Sequence, residues 1–72
     1  MKKLTDREKE VLKYILNGYT NKEIAQELHI SVDTAKAHVS SILYKMNVED
    51  RLGIFKKLFS ENIDKYIKEL NK

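Results

Sequence analysis

The sequence contains no cysteine and no proline, and it has only two glycines among its 72 residues. Without cysteine, neither a disulfide framework nor a thiolate zinc site can form. The longest stretches without a charged residue, such as Ala37 to Tyr44, are far shorter than the roughly 20 apolar residues that span a bilayer. The N-terminus passes directly from Met-Lys-Lys to charged residues, so we expect no signal peptide, no membrane partner and a cytoplasmic location.

Sequence motifs for catalysis are also lacking. The chain has no glycine-rich phosphate loop, no nucleophile elbow and no pair of catalytic carboxylates, because Glu8 and Glu10 project to different faces of a predicted helix. The two histidines, His29 and His38, stand nine residues apart on different predicted elements, whereas zinc sites need three or four ligands. We therefore expect no metal, no cofactor and no enzymatic activity.

The length and composition of the chain fit one small domain. With 72 residues, 42% of them hydrophobic, the chain is close to the size at which a single core is only marginally stabilising, and a partner subunit would help. The net charge is +3, but it is spread evenly: residues 1–30, 31–46 and 47–72 carry six bases against five acids, two against one, and six against five. Charge alone is therefore weak evidence for a nucleic-acid partner.

The centre of the chain has the spacing of two helices joined by a tight turn. Thr20 and Glu23 form a capping box that opens a helix from Asn21 to Leu28. A longer helix is predicted from Val32 to Met46. His29 falls where the turn requires a residue that tolerates a positive φ. This pattern predicts a helix-turn-helix.

The second of these helices, which Ser31 is expected to cap, divides into two faces at about 100° per residue. One face is apolar and consists of Ala35, Val39, Ile42 and Met46. The opposite face is polar and mostly short-sided, with Asp33, Lys36, Ala37, Ser40 and Tyr44 in its centre and Thr34 and Ser41 on its flank. Short side chains allow a helix to approach base edges in the major groove of DNA.

A helix is also predicted before this motif. Thr5 and Glu8 have the spacing of a capping box, and Gly18 suits a left-handed stop after a helix that runs to about Asn17. We interpret Glu8 as the cap of its own helix and not as a functional residue. The helix carries an apolar stripe and is expected to support the helix-turn-helix; the stripe consists of Val11, Leu12, Ile15 and Leu16.

The C-terminal third repeats apolar residues every three or four positions. This predicts a fourth helix that begins near residues 49–52 and continues to about Leu70, although Ser60 could instead cap a separate fifth helix. The stripe is longer than three short helices can cover, so it is expected either to fold back on its own domain or, as we predict, to form a homodimer interface. The predicted interface consists of Leu52, Phe55, Leu58, Phe59, Ile63, Tyr66 and Ile67.

Together these motifs resemble the LuxR-type DNA-binding domain, which also forms the output half of NarL-like and FixJ-like response regulators and the stand-alone GerE-like regulators. The resemblance is carried by LTDREKEVL (4–12), NGYTNKEIAQELHIS (17–31), TAKAH (34–38) and KMNVEDR (45–51). It implies an all-α fold, a four-helix LuxR-type helix-turn-helix domain over residues 1–59. Residues 60–72 are then an extension of the C-terminal helix, which we assign to dimerisation.

The resemblance further implies a transcriptional regulator that binds double-stranded DNA as a homodimer, with Val32 to Met46 in the major groove. On the family's pattern, three residues face base edges and three lie near phosphates; these are Lys36, Ala37 and Ser40, and Lys22, Thr34 and Lys45. With Ser41 and Tyr44 from the outer face, the expected DNA-binding set is Lys22, Thr34, Lys36, Ala37, Ser40, Ser41, Tyr44 and Lys45. The chain departs from the pattern at Ala35, Ser40, Ile54 and Leu58.

Two alternative functions share this fold. Region four of sigma factors binds RNA polymerase as well as DNA, but 72 residues leave no room for the other regions that a sigma factor needs. A protein-interaction module would keep the helix-turn-helix and use the C-terminal stripe on a partner, which the even charge and Ser40 favour. A salt dependence near zero for binding to random duplex would indicate the interaction module.

Overall fold

The computed structural model describes the backbone of residues 3–70 and the side chains of residues 3–60. Within residues 3–70 it contains no strand, and its helices are α1 (Asp6–Leu16), α2 (Asn21–Leu28), α3 (Val32–Met46) and α4 (Arg51–Leu70). The predicted all-α, four-helix fold is confirmed. Helix α4 continues unbroken through Ser60, so a separate fifth helix does not begin there. The division between residues 1–59 and 60–72 stays a prediction.

Side chains fix where the first three helices begin. At the start of α1 the Thr5 hydroxyl accepts the Glu8 N–H at 3.1 Å, and the Thr5 N–H donates to the Glu8 carboxylate at 2.8 Å. Thr20 and Glu23 repeat this arrangement at α2, with distances of 3.2 and 2.9 Å. The Ser31 hydroxyl caps α3 by accepting an N–H of its first turn at 3.0 Å. Both predicted capping boxes and the predicted Ser31 cap are confirmed.

Each of these helices is followed, within two residues of its end, by a residue with a left-handed backbone. The φ angles are +83° at Gly18, 56° at His29 and 58° at Asn47. In the turn between α2 and α3, the N–H of Ile30 reaches back to the carbonyl of Ala25 at 3.0 Å, a bond that satisfies a carbonyl left over at the helix end. The predicted positive φ at His29 is therefore confirmed, and it lets α3 follow α2 after only three residues.

The core lies where α1 and α2 pack against α3. All four residues of the predicted apolar face of α3 are buried, and Ala25, at 4% exposure, leaves room for α2 to approach α3. Leu16, which was predicted in the stripe of α1, is instead 42% exposed. The buried apolar residues are Val11, Ile15, Ile24, Ala25, Ala35, Val39, Ile42, Met46 and Ile54.

Helix α4 joins this core through its first turns. Ile54 is fully buried, and Leu58 is half-buried against the core. The Arg51 guanidinium donates to the side-chain oxygen of Asn21 at 2.7 Å and to the carbonyl of Tyr19 at 2.5 Å. These bonds tie the start of α4 to the start of α2. Among the described residues, no helix is long and apolar enough to cross a membrane.

The end of α3 is also tied to α4. The Lys57 ammonium donates to the carbonyl of Met46 at 2.7 Å, where α3 leaves carbonyls without a helical partner. Gly53 lies so close to Val48 that a Cβ added at Gly53 would stand 3.0 Å from the Val48 Cβ. Two contacts therefore set the orientation of α4 relative to α3: the hydrogen bond from Lys57 to the end of α3, and the close approach of Gly53 to Val48.

Candidate nucleic-acid interface

The outer face of α3 is exposed along its length. Asp33, Lys36, Ala37 and Ser40 are exposed, and Tyr44 is 68% exposed. The last four of these residues follow Asp33 by three, four, seven and eleven positions, a spacing that places all five on one side of a helix. The structure thus brings together four of the predicted DNA-binding residues with one acidic neighbour, on the side opposite the core.

Two further predicted residues lie near the start of their helices. Lys22 is exposed in the first turn of α2, and like that of Lys36 its side chain makes no ion pair or hydrogen bond within residues 3–60. Thr34 is exposed at the start of α3, where its hydroxyl accepts from the Ser31 hydroxyl at 2.8 Å. Lys22 and Lys36 are thus available to an anionic partner without first breaking a described contact.

The remaining two predicted residues turn towards α1. The Lys45 ammonium donates to one carboxylate oxygen of Glu8 at 2.7 Å, and the Ser41 hydroxyl donates to the other. Glu8 is buried, at 5% exposure, and also receives the N–H of Thr5. One carboxylate therefore joins α1 to the second half of α3.

This arrangement favours the charged form of Glu8. Hydrogen bonds from Lys45, then Ser41, then the Thr5 backbone lower the pKa of Glu8 from 4.5 to about 2, although burial acts in the opposite direction. The carboxylate is therefore ionised at neutral pH, and it offsets the positive charge of Lys45. The second half of α3 consequently presents less net positive charge than its sequence suggests.

From its spacing in the sequence, Glu8 is predicted only as a cap. That role is confirmed, but the contacts with Ser41 and Lys45 were missed, because 33 and 37 residues separate the partners. A signal was present: Glu8 stands three and seven residues before Val11 and Ile15, on the apolar stripe of α1. A carboxylate on a buried stripe needs a cation or several donors.

The residues predicted for dimerisation fall into three groups. Leu52, Phe55 and Phe59 are exposed, at 59, 38 and 67%. Leu58 is half-buried and packs against the domain's own core. Ile63, Tyr66 and Ile67 lie outside the residues whose side chains the structure describes. The described part of α4 therefore exposes large apolar side chains, and the assignment of this interface stays a prediction.

The arrangement of α2, the turn and α3, with the outer face of α3 exposed, defines a helix-turn-helix DNA-binding domain. In the part of the chain that the structure describes, no group of three or more His, Asp or Glu side chains is placed to hold a metal ion.

Comparison with known proteins identifies the family. Residues 2–58 match the family model of the bacterial regulatory proteins of the luxR family. The chain is 47% identical over 60 residues to the response regulator protein VraR of Staphylococcus aureus, Staphylococcus saprophyticus and Staphylococcus epidermidis. The match covers 83% of this chain and 29% of each relative, so the chain spans under a third of their length. The chain belongs to the luxR family and is a DNA-binding domain of transcription regulators.

Proposed function

We propose that this chain binds a specific double-stranded DNA sequence as a homodimer, with α3 in the major groove, and thereby regulates transcription. The observation that carries the proposal is the exposed outer face of α3, where Lys36 stands beside the short side chains of Ala37 and Ser40. The major groove admits one helix, and short side chains let its backbone come near the base edges.

The proposed roles follow from side-chain chemistry. Lys36 donates to O6 and N7 of a guanine, Ala37 contacts a thymine methyl, and Ser40 hydrogen-bonds a base edge. Lys22 at the start of α2 and Thr34 at the start of α3 contact phosphates, which positions α3 without reading sequence. Tyr44 extends this surface towards the second half of α3.

Lys45 and Ser41 have different capacities for phosphate contact. An ammonium has three donors, so Lys45 can keep its bond to Glu8 and still donate to a phosphate. The single hydroxyl proton of Ser41 is already donated to Glu8, so a phosphate contact by Ser41 requires an exchange of partners. We therefore propose Lys45 as a direct but partly neutralised contact, and Ser41 as a weaker one.

The proposed homodimer uses the exposed side of α4. Two copies would place their α3 helices in successive major grooves, about 34 Å apart along the duplex. Sedimentation tests this with Phe59→Glu, which puts a charge on a side chain that is 67% exposed. Ser60→Glu adds the same charge at the adjacent exposed position and is the matched control. We expect Phe59→Glu to lower the dimer fraction and Ser60→Glu to leave it unchanged; an equal monomer mass for all three proteins would refute the dimer.

The relatives are named response regulators, and we propose that this chain has the part of an output domain in such a protein. Selection of bound duplexes from a randomised pool tests the DNA-binding proposal. We expect enrichment of one motif in two copies, with affinity that falls steeply as salt rises. Failure to enrich any motif, together with a salt slope near zero, would contradict it and favour a protein-interaction module, with RNA polymerase as one candidate partner.

A further inference from the structure

The outer face of α3 carries one acidic residue among its polar ones. Asp33 is the second residue of α3 and is exposed, and Lys36 and Ala37 follow it by three and four residues. Residues at these spacings lie next to each other on a helix surface. The carboxylate of Asp33 therefore belongs to the same surface that we propose to face DNA.

Two of the acidic residues in the first turns of the earlier helices differ from Asp33 in what they contact. Glu8 and Glu23 each accept the backbone N–H of the residue that caps their helix, at 2.8 and 2.9 Å. In α3 the corresponding position is held by Thr34, so Asp33 closes no capping box. Within residues 3–60, the Asp33 side chain makes no hydrogen bond or ion pair, not even with Lys36 one turn further on.

A free carboxylate on a DNA-facing surface is repelled by phosphates unless it meets a donor. The donors in the major groove are the amino groups of cytosine and adenine. On adenine the amino group lies beside the N7 acceptor, which repels a carboxylate, and guanine and thymine present acceptors at the equivalent places. Cytosine is therefore the base that best satisfies an aspartate in this groove.

We propose that Asp33 is a second specificity-determining residue, which accepts a hydrogen bond from the N4 amino group of a cytosine. This inference rests on the proposed function, in which α3 occupies the major groove. Side chains three residues apart on a helix are about 5 to 6 Å apart at Cβ. Because base pairs stack about 3.4 Å apart, the cytosine lies within two base pairs of the guanine bound by Lys36.

The test compares the wild-type chain with Asp33→Asn and Asp33→Ala in selection from the same randomised duplex pool. Asparagine keeps the shape of aspartate but pairs with N6 and N7 of adenine, so Asp33→Asn should change one position of each half-site from cytosine to adenine and leave the others unchanged. Asp33→Ala should lose the preference at that position. Because it removes a repulsive charge, it should also bind random duplex roughly twofold to fivefold more tightly.

Asp6→Asn is the matched control, since Asp6 is an exposed carboxylate in the first turn of α1. This variant should select the wild-type cytosine. On the enriched site, replacing that cytosine should weaken wild-type binding about tenfold and leave Asp33→Ala unaffected. Identical base preferences for wild type and Asp33→Asn would overturn the inference while leaving sequence-specific binding intact. A wild-type chain that enriches no motif would overturn the proposed function and this inference together.

Discussion

The two halves of α3 differ in where their polar side chains go. In the first half, residues 32–40, the side chains of Asp33, Lys36 and Ser40 are exposed and make no hydrogen bond within residues 3–60. In the second half, Ser41 and Lys45 both donate to the buried carboxylate of Glu8 on α1. One helix therefore combines a surface available to a partner with a segment anchored to its own domain. We call the hydrogen bonds of Ser41 and Lys45 to Glu8 the anchor, because they hold α3 on α1. The first half of α3, which we call the free half, is the part that we propose to contact bases.

The largest effect on stability is expected from removing the anchor. Glu8→Ala leaves Ser41 and Lys45 without their acceptor and removes the α1 capping box, so the free energy of unfolding should fall by about 2 kcal/mol. Urea unfolding measures this. The matched control is Glu10→Ala, because Glu10 pairs with Arg7 at 3.5 Å in an exposed position and should change stability by less than about 0.5 kcal/mol. Equal losses for the two variants would show that Glu8 is no anchor.

In the free half, Lys36→Ala should weaken binding to the enriched site by about 1 to 3 kcal/mol and relax the preference at one base pair, with little change in stability. Fluorescence anisotropy on the enriched and random duplexes measures both quantities. Lys56→Ala removes an exposed lysine from α4 and is the control for general charge loss. Equal losses on enriched and random duplex for Lys36→Ala would contradict its assignment to a base.

The anchor should also give stability a dependence on acid. The pKa of Glu8 is lowered from 4.5 to about 2 by its bonds to Lys45 and Ser41, so the folded state favours the ionised carboxylate. Its contribution is therefore complete above pH 4.5 and is lost as the pH falls towards 2. Glu8→Gln should remove this part of the dependence. Unfolding curves at several pH values measure it, and parallel profiles for both proteins would disprove the link.

The smallest effect is expected at a phosphate contact. Lys22→Ala should weaken binding to all duplexes alike and reduce the log–log salt slope by about one. Lys45→Ala should reduce that slope by less, because Glu8 already offsets the charge of Lys45. Salt titrations of both variants measure the difference. A larger reduction for Lys45→Ala would mean that DNA displaces Glu8 from Lys45.

Local chemistry explains why much of the fold was predictable from the sequence. The starts of α1, α2 and α3 depend on caps three residues apart, such as Thr5 with Glu8. The core face of α3 follows from helical periodicity. The contacts of Glu8 with Lys45 and of Arg51 with Asn21 were not predicted, because they join residues 37 and 30 positions apart. Spacing shows which residues share a face, but it does not show which faces meet.

The exposed surface shows the same limit. The outer face of α3 was predicted correctly as exposed, since polarity and periodicity agree there. The different engagement of Lys36 and Lys45 was not predicted, because both are lysines on the same helix. Only the position of α1 distinguishes them. Residue type alone therefore does not separate a free cation from a neutralised one. The position of the neighbouring helix has to be known as well.

The most direct test of the central claim is an NMR titration of backbone amides with the enriched duplex. If α3 enters the major groove with its first half, the largest shift changes will fall on residues 33–40 and at Lys22, with small changes on residues 54–58 of α4. Large changes confined to α4, with residues 33–40 unaffected, would contradict the account.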